Sequence, residues 1–426
     1  MADVRPFRAL RYAHSLDLAA AVCPPFDIIS PEEQLSLHER SAYNAVRIEL
    51  AQGDDGNRYQ HAAETLSLWR DDGTLERDET PAFYLYDQQF ERDGNPYRRR
   101  LIFARLRLEP WNKGIVLPHE QTFGAPKEDR LRLLRAIRTN TSPVFLIYRD
   151  HDRAIEAQFE GPAPEPDAEF TGDDGQTHTV RRISEPRMVE ALTAAFELET
   201  LYIADGHHRY ETALGYREGC RENAVEWTGH EPENFALVAL ASASDPGLLV
   251  LPIHRVAAAG IPLREGMDRM SGLFDVERLS SVEALTSRLA ERRESTPSFG
   301  LASAESDDLF LVSVSDAKAV DALLPRYRSA AWRGLDYAIA NHAILQHALG
   351  FEEPQMSDYA TLWFTEDAEQ AVADVRSGRA RYAVLMNPVP VIRILDVADS
   401  GERMPQKSTF FYPKVPTGLV FNPLEE

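Results

Sequence analysis

The sequence predicts a mixed α/β protein, α+β in its first part and α/β in its second, built as two domains. Three observations predict it. At 426 residues the chain is too long for one ordinary core of about 100–200 residues. Short apolar runs bounded by Gly, Pro and Asp alternate along its length with segments of helical period. A long hairpin at Ala82 to Leu108 makes the first sheet partly antiparallel, whereas beyond residue 260 strand and helix signals alternate as in β-α-β layering. The composition shifts near Ala259-Gly-Ile-Pro, giving domains 1–259 and 260–426, with the hairpin and the polar loop after it (82–148) inserted in the first.

In chain order, Ala9 to Ile29 opens as a strand and leads into Cys-Pro-Pro-Phe-Asp-Ile-Ile. Ser30-Pro-Glu-Glu then starts a helix, with Ser30 as N-cap and Pro31 at its first position. Asp27 precedes this helix on a proline-stiffened turn, either as a turn residue or as a carboxylate aimed into a site. Asn44 to Leu50 alternates like a strand, with Arg47 and Glu49 on one face. His61 to Arg70 reads as a helix. The hairpin turns at Arg92-Asp-Gly-Asn, and its aromatic residues read as sheet packing. Leu117 to Arg130 is a polar loop carrying His119, Glu120, Thr122, Lys127 and Arg130, a density that suits a ligand-lined loop. A basic helix, Leu131 to Ile137, and a buried strand, Val144 to Tyr148, follow. Glu160 to Thr177 reads as an exposed loop, and Ile183 to Phe196 as a helix.

Leu198 to Ala204 is an apolar strand broken by Gly206, and Tyr210 to Arg217 has the composition of a helix. Between them lie Asp205, His207, His208 and Arg209. A helix N-terminus offers backbone N–H groups and partial positive charge to an anion such as phosphate. Arg209 adds a bidentate donor, either histidine donates to an oxyanion or carries a proton, and Asp205 suits a metal or a hydroxyl proton. For a single histidine a polar cap is the simpler account. Four ionisable groups in five residues favour a site.

Beyond this turn, Phe235 to Ser242 reads as a strand, and Leu248 to Arg255 as another ending in His254 and Arg255. Arg255 is either a second anion ligand or a sheet-edge cap. The second domain reads as strand Phe274 to Leu279, helix Ser281 to Arg293, strands Ser298 to Ala302 and Leu309 to Val314, and a long helix Leu335 to Leu349. A β-α-β unit then runs from Thr361 to Met386. In the tail, Lys407, Ser408, Thr409 and Lys414 form a polar strip between aromatics. Phe410, Phe411, Leu419, Val420 and Phe421 anchor it, and it either closes a sheet or returns to the site to hold phosphate.

Composition narrows the function. A formal charge of −22 disfavours a nucleic-acid groove, since phosphate neutralisation supplies most of that affinity. No apolar run reaches membrane-spanning length and the first residues lack a signal-peptide core, so a cytoplasmic location is expected. Cys23 and Cys220 lack metal-ligand spacing and are expected as thiols. Five of the 46 basic residues are lysines, which makes Lys127, Lys407 and Lys414 informative where a compact ammonium is needed. Walker and Rossmann glycine loops, a serine elbow and paired-cysteine zinc spacing are all absent from the sequence.

Asp205-Gly-His-His-Arg209, followed by Glu211 and Ala213, resembles the glycine-histidine-arginine turn of the ParB/sulfiredoxin superfamily, which includes nucleotide-binding partition proteins, sulfiredoxins and a free-serine kinase. The whole chain resembles the family of domain of unknown function 1015 (DUF1015). Pro24-Pro-Phe-Asp-Ile-Ile29, His119-Glu120 through Pro143, Leu251-Pro-Ile-His-Arg255 and Met404 through Lys414 carry that likeness. It implies a ParB/sulfiredoxin-like N-terminal core and a site of nucleotide chemistry: ATP or ADP with Mg2+, the metal on Asp205, and phosphates on Gly206, His208 and Arg209. His119, Lys127, Arg130, Arg255, Lys407, Ser408, Thr409 and Lys414 are further phosphate-binding candidates. Asp27, Glu120, Asp205, His207 and His208 are the candidates for acid–base chemistry.

Two functions compete. One is a nucleotide-dependent phosphotransferase acting on a small hydroxylated metabolite, like the free-serine kinase. The other is a nucleotide-binding switch or interaction module of ParB type, without kinase chemistry. Sulfiredoxin chemistry is set aside, because Gly206 stands where a cysteine would be needed. Asp205 beside paired histidines suits chemistry more than passive binding.

Overall fold

The structure is a computed structural model that describes residues 1–426 apart from 55, 121–124, 162–163, 357, 406 and 426, and apart from the side chains of 125 and 126. The chain divides into two compact units. The first takes residues 1–118, 122–249 and 413–426, and the second takes 119–121 and 250–412. The tail from 413 thus belongs with the first unit, and Ala259 lies inside the second. The architecture is the mixed α/β class that the sequence predicts.

The first unit is built on a nine-stranded sheet among the described residues. In spatial order run Val116–Pro118, Leu201–Asp205, Val144–Tyr148, Phe235–Ser242, Asn95–Arg107, Phe83–Arg92, Thr177–Ile183 and Ala168–Thr171, with Val4–Arg5 pairing on Asn95–Arg107. The two long strands are the expected hairpin. Leu201–Asp205 is parallel to Val116–Pro118 and antiparallel to Val144–Tyr148. One face carries Phe83, Leu85, Ile102, Ala104, Val144, Leu146, Ile203, Val238 and Leu240, which pack with Leu192 and Phe196 of helix Pro186–Glu197 and with Tyr210 and Ala213.

Alternation sends intervening residues to the other face. There the register aligns Asp205 with Phe145, Phe145 with Ala239, and Ala239 with Phe103. Gln88 lies opposite Arg99 and next to His178. A bulge between Ile203 and Asp205 decides which face Asp205 joins. Without it, two residues of the same parity would point into the same aliphatic core; the extra residue re-aims Asp205 to the face of Phe145.

The tail is woven into this unit. Thr417 and Cys23 exchange backbone hydrogen bonds, as do Phe421 and Leu10, and Leu424 N donates to Arg138 O. Leu419, Val420 and Phe421 are buried, as expected of anchors. Cys23 and Cys220 are both free thiols.

The second unit holds a six-stranded sheet among the described residues, ordered Phe274–Leu279, Ser306–Val314, Ser298–Ser303, Tyr382–Leu385, His254–Ala257 and Leu362–Thr365. Leu362–Thr365, helix Ala368–Arg376 and Tyr382–Leu385 form the expected β-α-β unit, with His254–Ala257 lying between its two strands.

Four local expectations are corrected. Asn44–Leu50 is a helical turn, Val46–Glu49, because the Asn44 carboxamide accepts from Val46 N and donates to Ala20 O and Val22 O. A side chain that satisfies backbone groups in this way stabilises a turn over a strand. Within 160–177, Ala168–Thr171 is an edge strand rather than loop, its polar composition reflecting its place at the rim. The run from Leu248 to Arg255 is two strands, Leu249–Leu251 and His254–Ala257, with Pro252 between them. The helix at 335–349 begins as α at Asp336–Ile339 and continues as a π-helix at Ala340–Ala348, with Leu349 N donating to Ile344 O.

Candidate functional site

The site begins where the strand Leu201–Asp205 meets the helix His207–Asn223. Gly206 joins them in the left-handed region at φ 87°. A Cβ there would lie 2.9 Å from Arg209 Nε, so the turn needs glycine both for its backbone and for the guanidinium folded over it. Glycine also leaves the helix without a side-chain cap, so the donors of the first turn are not met by the residue that usually accepts from them. Tyr210 holds that turn in place: its hydroxyl donates to Glu109 O and accepts from Glu109 N, each at 2.9 Å.

Asp205 lies between two cations. Its Oδ2 accepts from Arg209 Nη2 at 2.6 Å, and its Oδ1 from Lys414 Nζ at 2.8 Å. Arg209 Nη1 donates to Pro143 O. Burial alone would raise the Asp205 carboxyl, but Lys414 and Arg209 hold it well below the usual carboxylate range. His207 is buried and His208 half-buried on the same turn. Asp205, Gly206, His207, His208, Arg209 and Lys414 are therefore one cluster in the first unit.

The expected metal role of Asp205 does not match this donor set. Both its oxygens are engaged by cationic side chains, and the described residues contain no group of three His, Cys, Asp or Glu side chains able to hold a metal ion. Cations beside a carboxylate complement an added anion rather than a second cation.

The other candidates sort by unit. Lys127, on helix Ala125–Ile137, pairs with Glu211 on the site helix. Arg130 is buried and structural: it donates to Glu49 O, pairs with Glu49 and Asp129, and stacks 4.3 Å from the Phe26 ring. It lines, with Arg209 and Thr212, a cavity of about 50 Å³. Asp27 is exposed on a 3-10 turn, Phe26–Ile28. Thr122 lies outside the described residues.

In the second unit, His119, Glu120, Ser408 and Thr409 form a cluster of their own. Glu120 Oε1 accepts from Ser408 N, Thr409 N and Thr409 Oγ1 at 3.1, 3.0 and 2.9 Å, and His119 Nε2 lies 2.8 Å from Thr409 Oγ1. Lys407 is exposed in this unit at φ 56°. Lys407 and Lys414, read as one strip, thus fall in different units. Arg255 is buried and donates to Asn341 Oδ1, Ile253 O and Met386 Sδ.

Sequence reading missed Arg99 and Gln88. Arg99 is fully buried on the Asp205 face of the sheet, its Nη2 donating to Gln88 Oε1 at 2.6 Å. The signal was present: Arg98-Arg99-Arg100 in a strand must turn its middle member toward the side of Leu101 and Phe103, which are core residues.

Fold and site together define a mixed α/β protein with a cation-flanked carboxylate beside a helix N-terminus that starts at a glycine. The family described as protein of unknown function (DUF1015) matches residues 4–338, and the chain belongs to that family. No curated protein matches the chain. Among solved structures it is distantly similar to a conserved hypothetical protein from Pyrococcus furiosus, at 13% identity over 75% of this chain and 94% of that one, with a TM-score of 0.34. It is similar to a free serine kinase in complex with AMP at 14% identity, 74% and 92% coverage and a TM-score of 0.33. The likeness to SbnI with C-terminal truncation from Staphylococcus aureus is at 10% identity, 76% and 87% coverage and a TM-score of 0.35. Among the described residues no helix is long and apolar enough to cross a membrane.

Proposed function

We propose that this protein is a nucleotide-dependent phosphotransferase that moves a phosphoryl group from ATP or ADP to a hydroxyl of a small metabolite. The observation that carries the reading is the Lys414–Asp205–Arg209 arrangement at the start of a 17-residue helix. Backbone N–H groups, a helix dipole and two cations converge there, and phosphoryl transfer is catalysed largely by positioning and by stabilising charge on the transferred group.

In this reading the nucleotide's phosphates rest on the backbone of His207 to Arg209. His208 and Arg209 donate to their oxygens, and Lys414 supplies further positive charge. Asp205 positions Lys414 and Arg209. The acceptor hydroxyl attacks the terminal phosphorus, the bond from phosphorus to the bridging oxygen breaks, and that oxygen leaves on the shortened nucleotide. The hydroxyl proton goes to a carboxylate. Asp27 is the candidate base: it is exposed, and its neighbour Phe26 stacks on Arg130, which shares a cavity wall with Arg209. Nucleotide-bound Mg2+, where present, would supply charge neutralisation, and no step here depends on it.

Calorimetric titration of ATP, ADP and AMP into wild type, His208→Ala and Arg209→Ala tests the reading. At least one nucleotide should bind wild type, and both variants should lose about tenfold or more in affinity while keeping their folded spectra, as expected when charge-assisted hydrogen bonds are removed. Unchanged binding in both variants would place the phosphates elsewhere. Binding without turnover on any hydroxylated acceptor would favour the switch over the enzyme.

A further inference from the structure

The sheet face that receives Asp205 carries a charge that the phosphate cluster does not use. Arg99 is fully buried, and of its three nitrogens only Nη2 has a protein partner, the Gln88 carboxamide; Nε and Nη1 have none. Burial pulls the guanidinium down to about 10, so it stays charged at neutral pH. A buried, charged donor without an acceptor is costly. Stacking 5.2 Å from the Phe145 ring offsets only part of that cost.

The surroundings hold Arg99 in place without neutralising it. The Gln88 carboxamide is oriented through its nitrogen, since Nε2 donates to Gln176 Oε1 at 2.6 Å and to Lys414 O at 3.4 Å, which leaves its oxygen for Arg99. The turn Asp245-Pro-Gly clamps the backbone: Asp245 accepts from Arg100 N, and a Cβ on Gly247 would lie 2.6 Å from Arg99 N. Tyr86 bonds to His178 at 2.7 Å. Burial holds Tyr86 in its neutral phenol form and His178 in its neutral imidazole form, so neither brings negative charge. Asp205 and Asp245 attract Arg99 through space but are not its hydrogen-bond partners. Asp205 is already shared between Lys414 and Arg209.

We propose that Arg99, presented by Gln88 beside Asp205 and Lys414, is the anchor of a second oxyanion subsite, binding a carboxylate or phosphate group of a small metabolite. The free Nε and Nη1 donors match oxygens of such a group, and a ligand anion supplies the acceptor oxygens that Asp205 and Asp245 do not. The subsite deepens the phosphotransferase reading by requiring an anionic group on the acceptor or the donor; its existence as a binding site rests on Arg99 alone.

The test titrates inorganic phosphate and D-glycerate separately into the full-length protein, wild type, Arg99→Met and Arg99→Lys, with ATP titrated in parallel. At least one anion should bind wild type. Arg99→Met should weaken it about tenfold or more, and Arg99→Lys should fall between, keeping the charge but losing the fork. Without ligand, Arg99→Met should melt at or above wild type, because an unpaired buried charge is removed. Loss confined to glycerate identifies a carboxylate subsite, and loss confined to phosphate a phosphate subsite. Failure of both anions to bind wild type, unchanged affinity in Arg99→Met, or a clear drop in its melting temperature would overturn the proposal. An ATP titration that fails in wild type while an anion still binds through Arg99 would remove the nucleotide reading and leave this subsite standing.

Discussion

Lys414 Nζ lies 2.8 Å from Asp205 Oδ1 across 209 positions of sequence. With side-chain exposures of 14% and 19%, the pair is largely shielded from solvent. It ties the tail to the carboxylate at the end of the strand Leu201–Asp205, so the tail is held by a specific long-range contact rather than left as a loose end.

Lys414→Met should therefore lower stability by about 2 kcal/mol, the scale for a hydrogen bond to a charged group, and weaken phosphate binding as well. The Asp205 carboxyl is depressed in the folded state. Its contribution is full above the unfolded value of about 3.9 and is lost as pH falls below it toward the folded value. Melting curves between pH 5 and pH 2 should show a shallower acid loss in Lys414→Met than in wild type. Equal slopes would mean that Lys414 does not hold Asp205 down.

Asp27 and Glu120 are the two carboxylates that the sequence offers as a base, and their surroundings differ. Asp27 is exposed, whereas Glu120 already accepts three hydrogen bonds from Ser408 and Thr409 through one oxygen. Asp27→Asn should leave nucleotide affinity nearly intact and lower turnover about a hundredfold or more, the usual scale for a general base. Glu120→Gln should instead lower thermal stability, because a weaker acceptor replaces a charged one at three bonds. Steady-state kinetics and thermal melting of the two variants separate these outcomes. Unchanged turnover in Asp27→Asn would remove Asp27 from the role.

His178 in the first unit and His254 in the second are both buried, and burial lowers each to about 4. Between about 6.5 and 4 the unfolded chain binds protons at these positions that the folded chain does not. Stability should be full above pH 6.5 and decline as pH falls toward 4, by roughly 2–3 kcal/mol for each histidine. This window lies above the one in which Asp205 acts. Denaturant midpoints from pH 7 to pH 4 should flatten in His178→Gln and in His254→Gln, and a wild-type profile flat over that range would contradict the neutral buried state.

Local signals in the sequence were enough for much of this protein. Arg92-Asp-Gly-Asn between alternating aromatic strands implies the hairpin at Phe83–Arg107. Ser30-Pro-Glu-Glu implies the helix Pro31–Arg40, and the break at Gly206 implies the strand–turn–helix on which the site is built. These features depend on residues a few positions apart, through caps, turn chemistry and period. The family likeness was legible for the same reason, since it rests on contiguous stretches such as Asp205 to Arg209.

Tertiary structure decided the rest, because each remaining feature depends on partners that sequence spacing does not reveal. Asn44 makes Val46–Glu49 a turn by bonding to Ala20 and Val22, overriding an alternating pattern. Arg130 pairs with Glu49 and Arg255 donates to Asn341, partners far away in sequence that no local pattern reveals. A one-residue bulge turns Asp205 from the aliphatic face to that of Phe145. Long-range pairing then brings Lys414 and Arg99, more than three hundred positions apart in the chain, to the same carboxylate's surroundings. Charge acts through space rather than along the chain, so only the folded register shows which cations Asp205 keeps and which one has donors left without an acceptor.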